Sequence, residues 1–146
     1  MDRLDRLVSE LQNEIDEKER AIYSARVLEQ ARNPTNLGRL EPADAHASYT
    51  GWCGDTMEVW IHLQGGAIRQ ASFMTDGCGP AVACGNMVTT LVVGMTPDEA
   101  NQVQPQDVIR ALDGLPEESA HCAELAVTTL RRALAGLQPR DAAAAQ

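Results

Sequence analysis

The stretch MEVWIHLQGGAIRQASFMTDGCGP, from Met57 to Pro80, decides the fold of this chain. Its first seven residues alternate between apolar and polar side chains, which is the period of a strand with one buried face. One face carries Met57, Val59, Ile61 and Leu63, and the other carries Glu58, Trp60 and His62. Gln64-Gly65-Gly66 then forms a turn, and residues 67–75 form a second strand. The stretch therefore predicts an antiparallel hairpin.

The segment after this hairpin is predicted to be helical. Pro80 suits the first turn of a helix, which continues over residues 81–93. Thr96 and Glu99 have the spacing of a capping box at a further helix start. A short helix over 106–112 and a last helix from about Ser119 complete the carboxy-terminal half.

The amino-terminal part is predicted to contain one long helix, a loop and a short strand. Residues 4–32 form the helix, which ends at Asn33-Pro34, and residues 33–45 form the loop. A strand over 46–51 joins the hairpin, so the fold class is α+β, a small three-stranded antiparallel sheet covered by helices. The helix carries an apolar seam of Leu4, Val8, Leu11, Ile15 and Ile22. Packing on the domain's own core is the leading interpretation of this seam, and a coiled-coil contact with another chain is the alternative.

Charge and hydropathy exclude several classes of partner. The net charge is -9 and the pI about 4.7, without a basic stripe, so we expect no nucleic-acid partner. The longest apolar run, residues 87–95, is too short to span a membrane. Residues 1–10 carry charges throughout and do not resemble a secretory signal. We therefore expect a cytoplasmic protein whose cysteines stay reduced.

Three of the four cysteines lie where elements meet. Cys53 follows the first strand, Cys78 stands between a strand and a helix, and Cys122 is in the first turn of the last helix. Glycines at 51, 54, 77 and 79 bracket the first two, which lets the backbone approach a bulky ligand. Helix amino termini favour anions, so we expect lowered pKa values for Cys78 and Cys122.

Soft thiolates suit iron–sulfur clusters, zinc and copper(I). Three cysteines together with Asp55 or His121 make a set of four ligands. A permanent cluster normally takes four cysteines, so a carboxylate or imidazole in the fourth place favours a cluster that is meant to leave.

The motifs Cys53-Gly54-Asp55, Gly77-Cys78-Gly79 and His121-Cys122-(x)2-Leu125-Ala126 resemble the signature blocks of the U-type iron–sulfur cluster scaffolds, the IscU/NifU amino-terminal family. The likeness spans roughly residues 22–136. It implies a scaffold domain over 22–137, with an amino-terminal helical extension over 1–21. We predict that residues 138–146 form a flexible tail.

The resemblance implies a role for each site residue. Cys53, Cys78 and Cys122 would bind a [2Fe–2S] or [4Fe–4S] cluster, and Cys122 would accept persulfide sulfur from a cysteine desulfurase. Asp55 would bind incoming iron and keep the cluster labile, and His121 would be an alternative ligand or handle protons. The protein would pass its cluster to recipient apo-proteins and would not be an enzyme.

The chain departs from the family pattern at three places. The extension, residues 1–21, would serve a homodimer or a dedicated partner. Leu115-Pro116-Glu117-Glu118-Ser119 replaces the motif that a specialised Hsp70 chaperone reads, so we do not expect that partner. Cys84 stands where classical members tend to have serine; a small, partly buried packing residue is the leading interpretation, and a spare thiol the alternative.

Competing interpretations remain for the site as a whole. Asp55 could be a turn residue, His121 a solvated one, and Trp52 either a shield against water or a partner anchor. A zinc-bound sulfur acceptor of the same fold would use Cys53, Asp55, Cys78 and Cys122. A thiol enzyme would use Cys122 with His121 as base, although neighbours on a helix project about a hundred degrees apart. A structural partner module with a vestigial site is the last alternative.

Overall fold

A computed structural model describes residues 2–137, so the predicted tail, residues 138–146, lies outside the described part of the chain. The elements are six α-helices, three strands and one 3₁₀ turn, in an α+β arrangement. In chain order they are α1 (Arg3–Ile22), α2 (Ala25–Arg32), β1 (Ala45–Thr50), β2 (Thr56–Gln64), β3 (Ala67–Thr75), α3 (Gly79–Val92), α4 (Pro97–Ala100), α5 (Pro105–Ala111), the 3₁₀ turn (Glu117–Ser119) and α6 (Ala120–Ala135).

The predicted hairpin is present, and the sheet has the order β1-β2-β3 with antiparallel pairing throughout. Val59 stands opposite Ala47 on β1 and Phe73 on β3. Met57, Val59 and Ile61 on its face are completely buried, as the alternation predicted, whereas Leu63, beyond the register shift after His62, is only partly buried. Trp60 lies on the other face, yet it is buried as well, and the His46 ring stacks on it with the ring centroids 4.8 Å apart.

Helices α3 and α6 pack against the sheet and against each other. Most of α3 is buried, so its sequence shows no polar stripe. Gly85 lets this helix approach β3 closely, since a Cβ atom there would lie 2.4 Å from Cδ2 of Phe73. The core therefore lies between the sheet and these two helices.

The prediction of one helix over residues 4–32 was wrong. The chain breaks after Ile22, and Ser24 caps a separate helix, its Oγ accepting a hydrogen bond from the Val27 backbone N–H at 3.0 Å. The same hydroxyl donates to the Leu112 carbonyl oxygen and so fixes α2 against the carboxy-terminal half. Serine is frequent at helix starts because its hydroxyl can accept such a backbone hydrogen bond. The spacing of apolar residues, on which the prediction of one helix was based, does not show where such a cap lies.

The leading interpretation of the amino-terminal seam was also wrong. Instead of packing on the core, Leu4, Val8, Leu11 and the other seam residues are half exposed or more. The contact of α1 is with α2, where the Arg32 guanidinium pairs with Asp16 and Glu19.

A buried polar network holds α2 and the following loop onto α3. The Asn36 backbone N–H donates to Oδ1 of Asn86 at 2.9 Å, and its side-chain amide donates to Thr89 Oγ1 at 3.0 Å. Asn86 in turn donates to Gln30. Buried polar groups that are satisfied in this way specify one arrangement of the segments.

The remaining elements follow the predictions to within one or two residues. The capping box is present, with the Glu99 backbone N–H donating to Thr96 Oγ1 at 3.2 Å. The last helix begins one residue after the predicted start, behind the 3₁₀ turn. Within residues 2–137, no helix is both long and apolar enough to cross a membrane.

We predict that Gly85→Ala destabilises the fold. The better helix propensity of alanine is worth about 1 kcal/mol, but overpacking a core costs about 1–3 kcal/mol and falls here on the buried Phe73 ring. Because a contact of 2.4 Å is severe, the cost lies at the top of that range, and the free energy of unfolding, measured by urea titration, should fall by about 2 kcal/mol. Gly79→Ala is the matched control, because a Cβ there meets its nearest neighbour at 3.8 Å. Equal stability of the two variants would contradict this packing.

Candidate metal centre

The strand register brings the predicted ligands to one end of the sheet. Thr50 pairs with Thr56, so the β1–β2 loop, residues 51–55, projects from that end. Met57 pairs with Thr75, so β3 finishes there too and leads to Cys78, the cap residue of α3. The third cysteine, Cys122, is the third residue of α6, which packs across β1 and β2. These separate segments therefore meet at one place, because paired antiparallel strands begin and end at the same end of the sheet.

The β1–β2 loop is closed by its own backbone. The Gly51 N–H donates to the Asp55 carbonyl oxygen at 2.9 Å, and the Gly54 N–H donates to the Gly51 carbonyl oxygen at 3.0 Å. Cys53 is exposed at the tip, whereas Asp55 is half-buried. This closure fixes the direction in which both side chains leave the loop.

Three chemically different ligand groups gather at the loop. The Cys53 Sγ, an Asp55 carboxylate oxygen and a His121 ring nitrogen all lie within 4.8 Å of one another. Next to them, the Cys122 Sγ lies 3.7 Å from Nε2 of His121. Zinc binds such ligands at about 2.0–2.3 Å, so small side-chain movements would let one ion reach several of them.

The expected lowering of the Cys122 pKa is wrong. Burial raises its pKa to about 12, and the nearby Cys78, Asp55 and Cys53 groups contribute in the same direction. Desolvation and like charges outweigh the helix amino terminus here because the thiol is buried rather than facing solvent. Cys122 is therefore a neutral thiol at physiological pH, and a metal ion would have to displace its proton.

The contact between His121 and Cys122 corrects the prediction that these two neighbouring side chains would project away from each other. Adjacent positions on a helix diverge, yet the imidazole is long enough to bring Nε2 back to 3.7 Å from the sulfur. His121 can thus take up or deliver a proton at this thiol. With its raised pKa, Cys122 must lose its proton before it can act as a nucleophile, in an enzyme and in sulfur transfer alike.

Different structural features explain the glycines beside the cysteines. A Cβ on Gly77 would lie 2.7 Å from Ala81 Cβ and 3.1 Å from Asp55 Oδ2, so the carboxylate rests against bare backbone. Gly54 has a φ of +92°, which favours glycine. Gly79 meets only ordinary contacts. Close approach thus explains Gly77 but not every glycine of the motifs.

Trp52 does not shield the site, since 83% of its surface is exposed. Its ring contacts the His121 ring on one side, with the centroids 5.4 Å apart. Cys53 and Cys78 are exposed too, so the site is open to solvent and to another protein. This placement argues against the shielding interpretation of Trp52, and the partner-anchor interpretation stays a prediction.

Cys84 lies deeper than predicted, being completely rather than partly buried. Burial raises the pKa of its thiol well above the usual range, and Cys122 and Cys78 contribute. An inert packing thiol fits this position better than a spare ligand.

A groove beside Cys78 was not predicted. It has a volume of about 350 Å³ and runs between α2 and the start of α3, with Tyr23, Leu28 and Arg32 on its walls. Its existence depends on how α2 docks on α3, which no local pattern in the sequence reports.

Comparison with known proteins places this site in a family. The sequence pattern of the NifU-like N terminal domain matches residues 22–144. The chain belongs to the NifU-like N-terminal domain family. Only the last residue of α1 falls within the match, so that helix is an addition to the NifU-like domain.

Relatives and a solved structure agree with this assignment. An Archaeoglobus fulgidus protein named iron-sulfur cluster assembly scaffold protein IscU 1 is 37% identical over 114 residues, covering 77% of this chain and 74% of the relative. A Drosophila melanogaster protein named iron-sulfur cluster assembly enzyme IscU is 36% identical, with 79% and 77% covered. A Fervidobacterium islandicum crystal structure, described as a candidate scaffold protein for the SUF system, has the same fold, with a TM-score of 0.63, 20% identity, and 78% and 97% covered.

We predict that Gly77→Ala weakens metal binding, because the new methyl group displaces the Asp55 carboxylate and presses on Ala81. Loss of a group that orients a ligand typically costs 10–100-fold, so Co²⁺ affinity should fall about tenfold. The absorption of Co²⁺–thiolate complexes measures it, with circular dichroism to verify the fold. Gly79→Ala serves again as the control, and equal affinities of both variants would contradict the role of Gly77.

Proposed function

We propose that this protein is a scaffold on which iron–sulfur clusters are assembled and from which they are transferred. The observation that carries the proposal is the convergence of three thiols, a carboxylate and an imidazole at one solvent-open end of a NifU-like domain. Relatives with this domain carry the name of cluster assembly scaffolds. The cluster is cargo in this scheme, and we propose cytoplasmic assembly.

Cys53, Cys78 and Cys122 are the proposed sulfur ligands. An Asp55 carboxylate oxygen and a His121 ring nitrogen each lie within 4.8 Å of Cys53 Sγ, and His121 Nε2 lies 3.7 Å from Cys122 Sγ. Either residue can therefore complete the set of ligands. An oxygen or nitrogen ligand replaces a fourth thiolate, which suits a [2Fe–2S] or [4Fe–4S] cluster that is released again. Asp55, held in place by the closed loop, is our choice for the group that keeps the cluster labile.

The proposed partners are a cysteine desulfurase and recipient apo-proteins. A thiolate of the scaffold attacks the outer sulfur of the desulfurase persulfide, and the desulfurase thiolate leaves. We assign this role to Cys122, with His121 Nε2 in place to take its proton. Trp52, exposed beside His121, would anchor the incoming protein, whereas the acidic Glu117-Glu118 pair argues against the specialised Hsp70 chaperone.

A zinc-bound sulfur acceptor is the second candidate. Cys53, Asp55, Cys78 and Cys122 would hold zinc tetrahedrally, and the same sulfur transfer would end on Cys122. Both candidates are non-enzymatic. The open site gives less support to a thiol enzyme, because an enzyme substrate is normally held in an enclosed pocket.

Anaerobic reconstitution with ferrous iron, cysteine and a desulfurase tests the proposal, read by visible absorption and Mössbauer spectra. The parent should form a cluster, and Cys53→Ser, Cys78→Ser and Cys122→Ser should each lose most of it. Cys84→Ser is the matched control, since its buried thiol is not a proposed ligand and the cluster should form as before. A parent that forms no cluster but retains one tightly bound zinc ion would favour the zinc candidate.

The sulfur acceptor is identified in the same samples before iron is added. Peptide mass spectrometry should find one extra sulfur atom on the peptide that contains Cys122. Cys53 and Cys78 are exposed while Cys122 is buried, so labelling confined to those two thiols would overturn the assignment of Cys122.

A further inference from the structure

Helix α1 exposes an apolar stripe, which Lys18 interrupts between Ile15 and Ile22. Six aliphatic side chains lie on it, and each has half or more of its surface in contact with solvent. They are Leu4 (67%), Leu7 (51%), Val8 (57%), Leu11 (51%), Ile15 (50%) and Ile22 (56%). Together they expose about 600 Å² per helix, the upper end of what an ordinary monomer shows in one patch. Such a stripe points to a contact that the single chain does not make.

The stripe has the spacing and residue types of a two-stranded coiled coil. Val8, Ile15 and Ile22 fall at a positions of a heptad, and Leu4 and Leu11 fall at d positions. Branched Val or Ile at a with Leu at d favours parallel dimers over larger assemblies. The pattern therefore favours two strands as well as marking an apolar face.

Among residues 2–137, no other element covers this stripe. Helix α2 holds the neighbouring flank of α1 through the Arg32 ion pairs with Asp16 and Glu19. Asp16 and Glu19 occupy b and e positions, which lie to one side of the seam. The a and d residues therefore point away from the flank that α2 contacts. The helix also precedes almost all of the NifU-like match, so its stripe is not needed by the domain itself.

We infer that α1 pairs with α1 of a second copy of this chain in a parallel two-stranded coiled coil. Two facing stripes would bury at most about 1,200 Å², which is the lower bound of specific interfaces. The pairing is isologous, so it closes at two copies. This inference does not depend on the proposed cluster function.

Charges along the seam lower the stability of this register. Lys18 occupies the remaining d position, where in a parallel pair it faces Lys18 of the second copy. In a parallel pair its ammonium packs beside Glu19 of the second copy, at an e position. Glu14, at a g position, faces the Glu19 carboxylate of the second copy, which is a contact between like charges. Arg32 pairs with Glu19 within each chain and so weakens this repulsion.

Sedimentation equilibrium of the full chain over a range of concentrations tests the pairing. The parent should dimerise, and Leu11→Glu should raise the dissociation constant at least tenfold. Asn13→Glu is the matched control, because it adds the same charge to the same helix at an f position on the outer face. Both residues are exposed, so neither change threatens the fold. A parent that stays monomeric at all concentrations, or equal constants for both variants, would overturn the inference.

Orientation is tested by Leu4→Cys under mild oxidation, with the cross-linked peptides identified by mass spectrometry. In a parallel pair both copies of residue 4 face each other within disulfide reach, whereas an antiparallel pair places residue 4 near residue 22. A cross-link between the two copies of residue 4 supports the parallel arrangement, and dimers without it contradict that arrangement.

The reconstitution experiment, repeated on Leu11→Glu, separates the two proposals. A monomeric variant that still forms its cluster confirms that pairing and cluster assembly are independent. A parent that dimerises but forms no cluster leaves the coiled coil standing and removes the scaffold proposal.

Discussion

The antiparallel register of the three strands is the constraint on which the site depends. Pairing Thr50 with Thr56 and Met57 with Thr75 sends the β1–β2 loop and the β3–α3 junction to the same end of the sheet. A slip of one residue would exchange the two faces of a strand and move both groups of ligands apart. The close packing of Phe73 on Gly85 then sets the distance between sheet and α3, and with it the position of Cys78.

Electrostatics at the site follow from this crowding. Burial raises the pKa of Cys122, and the nearby Cys78, Asp55 and Cys53 groups add to the effect. A cation relieves all of these costs at once and releases protons as it binds. The arrangement is thus suited to receive a positively charged guest. It is open on the side of Cys53, Cys78 and Trp52, where a guest can also leave.

Local patterns in the sequence were enough to predict the hairpin, the helical second half and the elements that carry the cysteines. They could not show that Ser24 divides the first helix, because the apolar spacing continues across the break. Nor could they show that α1 stands off the core, since an apolar seam looks the same whether its own domain or another chain covers it. At the site, burial of Cys122 and exposure of Trp52 depend on packing between α6 and the β1–β2 loop, which is a tertiary property. The contact between His121 and Cys122 depends on rotamers and was equally out of reach.

The central claim is that this site holds a cluster in order to release it, and cluster transfer tests that claim most directly. Parent and Asp55→Ala proteins, each loaded with the same cluster, would be mixed with an apo-ferredoxin, and the rate of transfer followed by circular dichroism of the recipient. The account predicts that the parent transfers its cluster and that Asp55→Ala transfers more slowly. A parent that keeps its cluster, or a variant that transfers as fast, would contradict it.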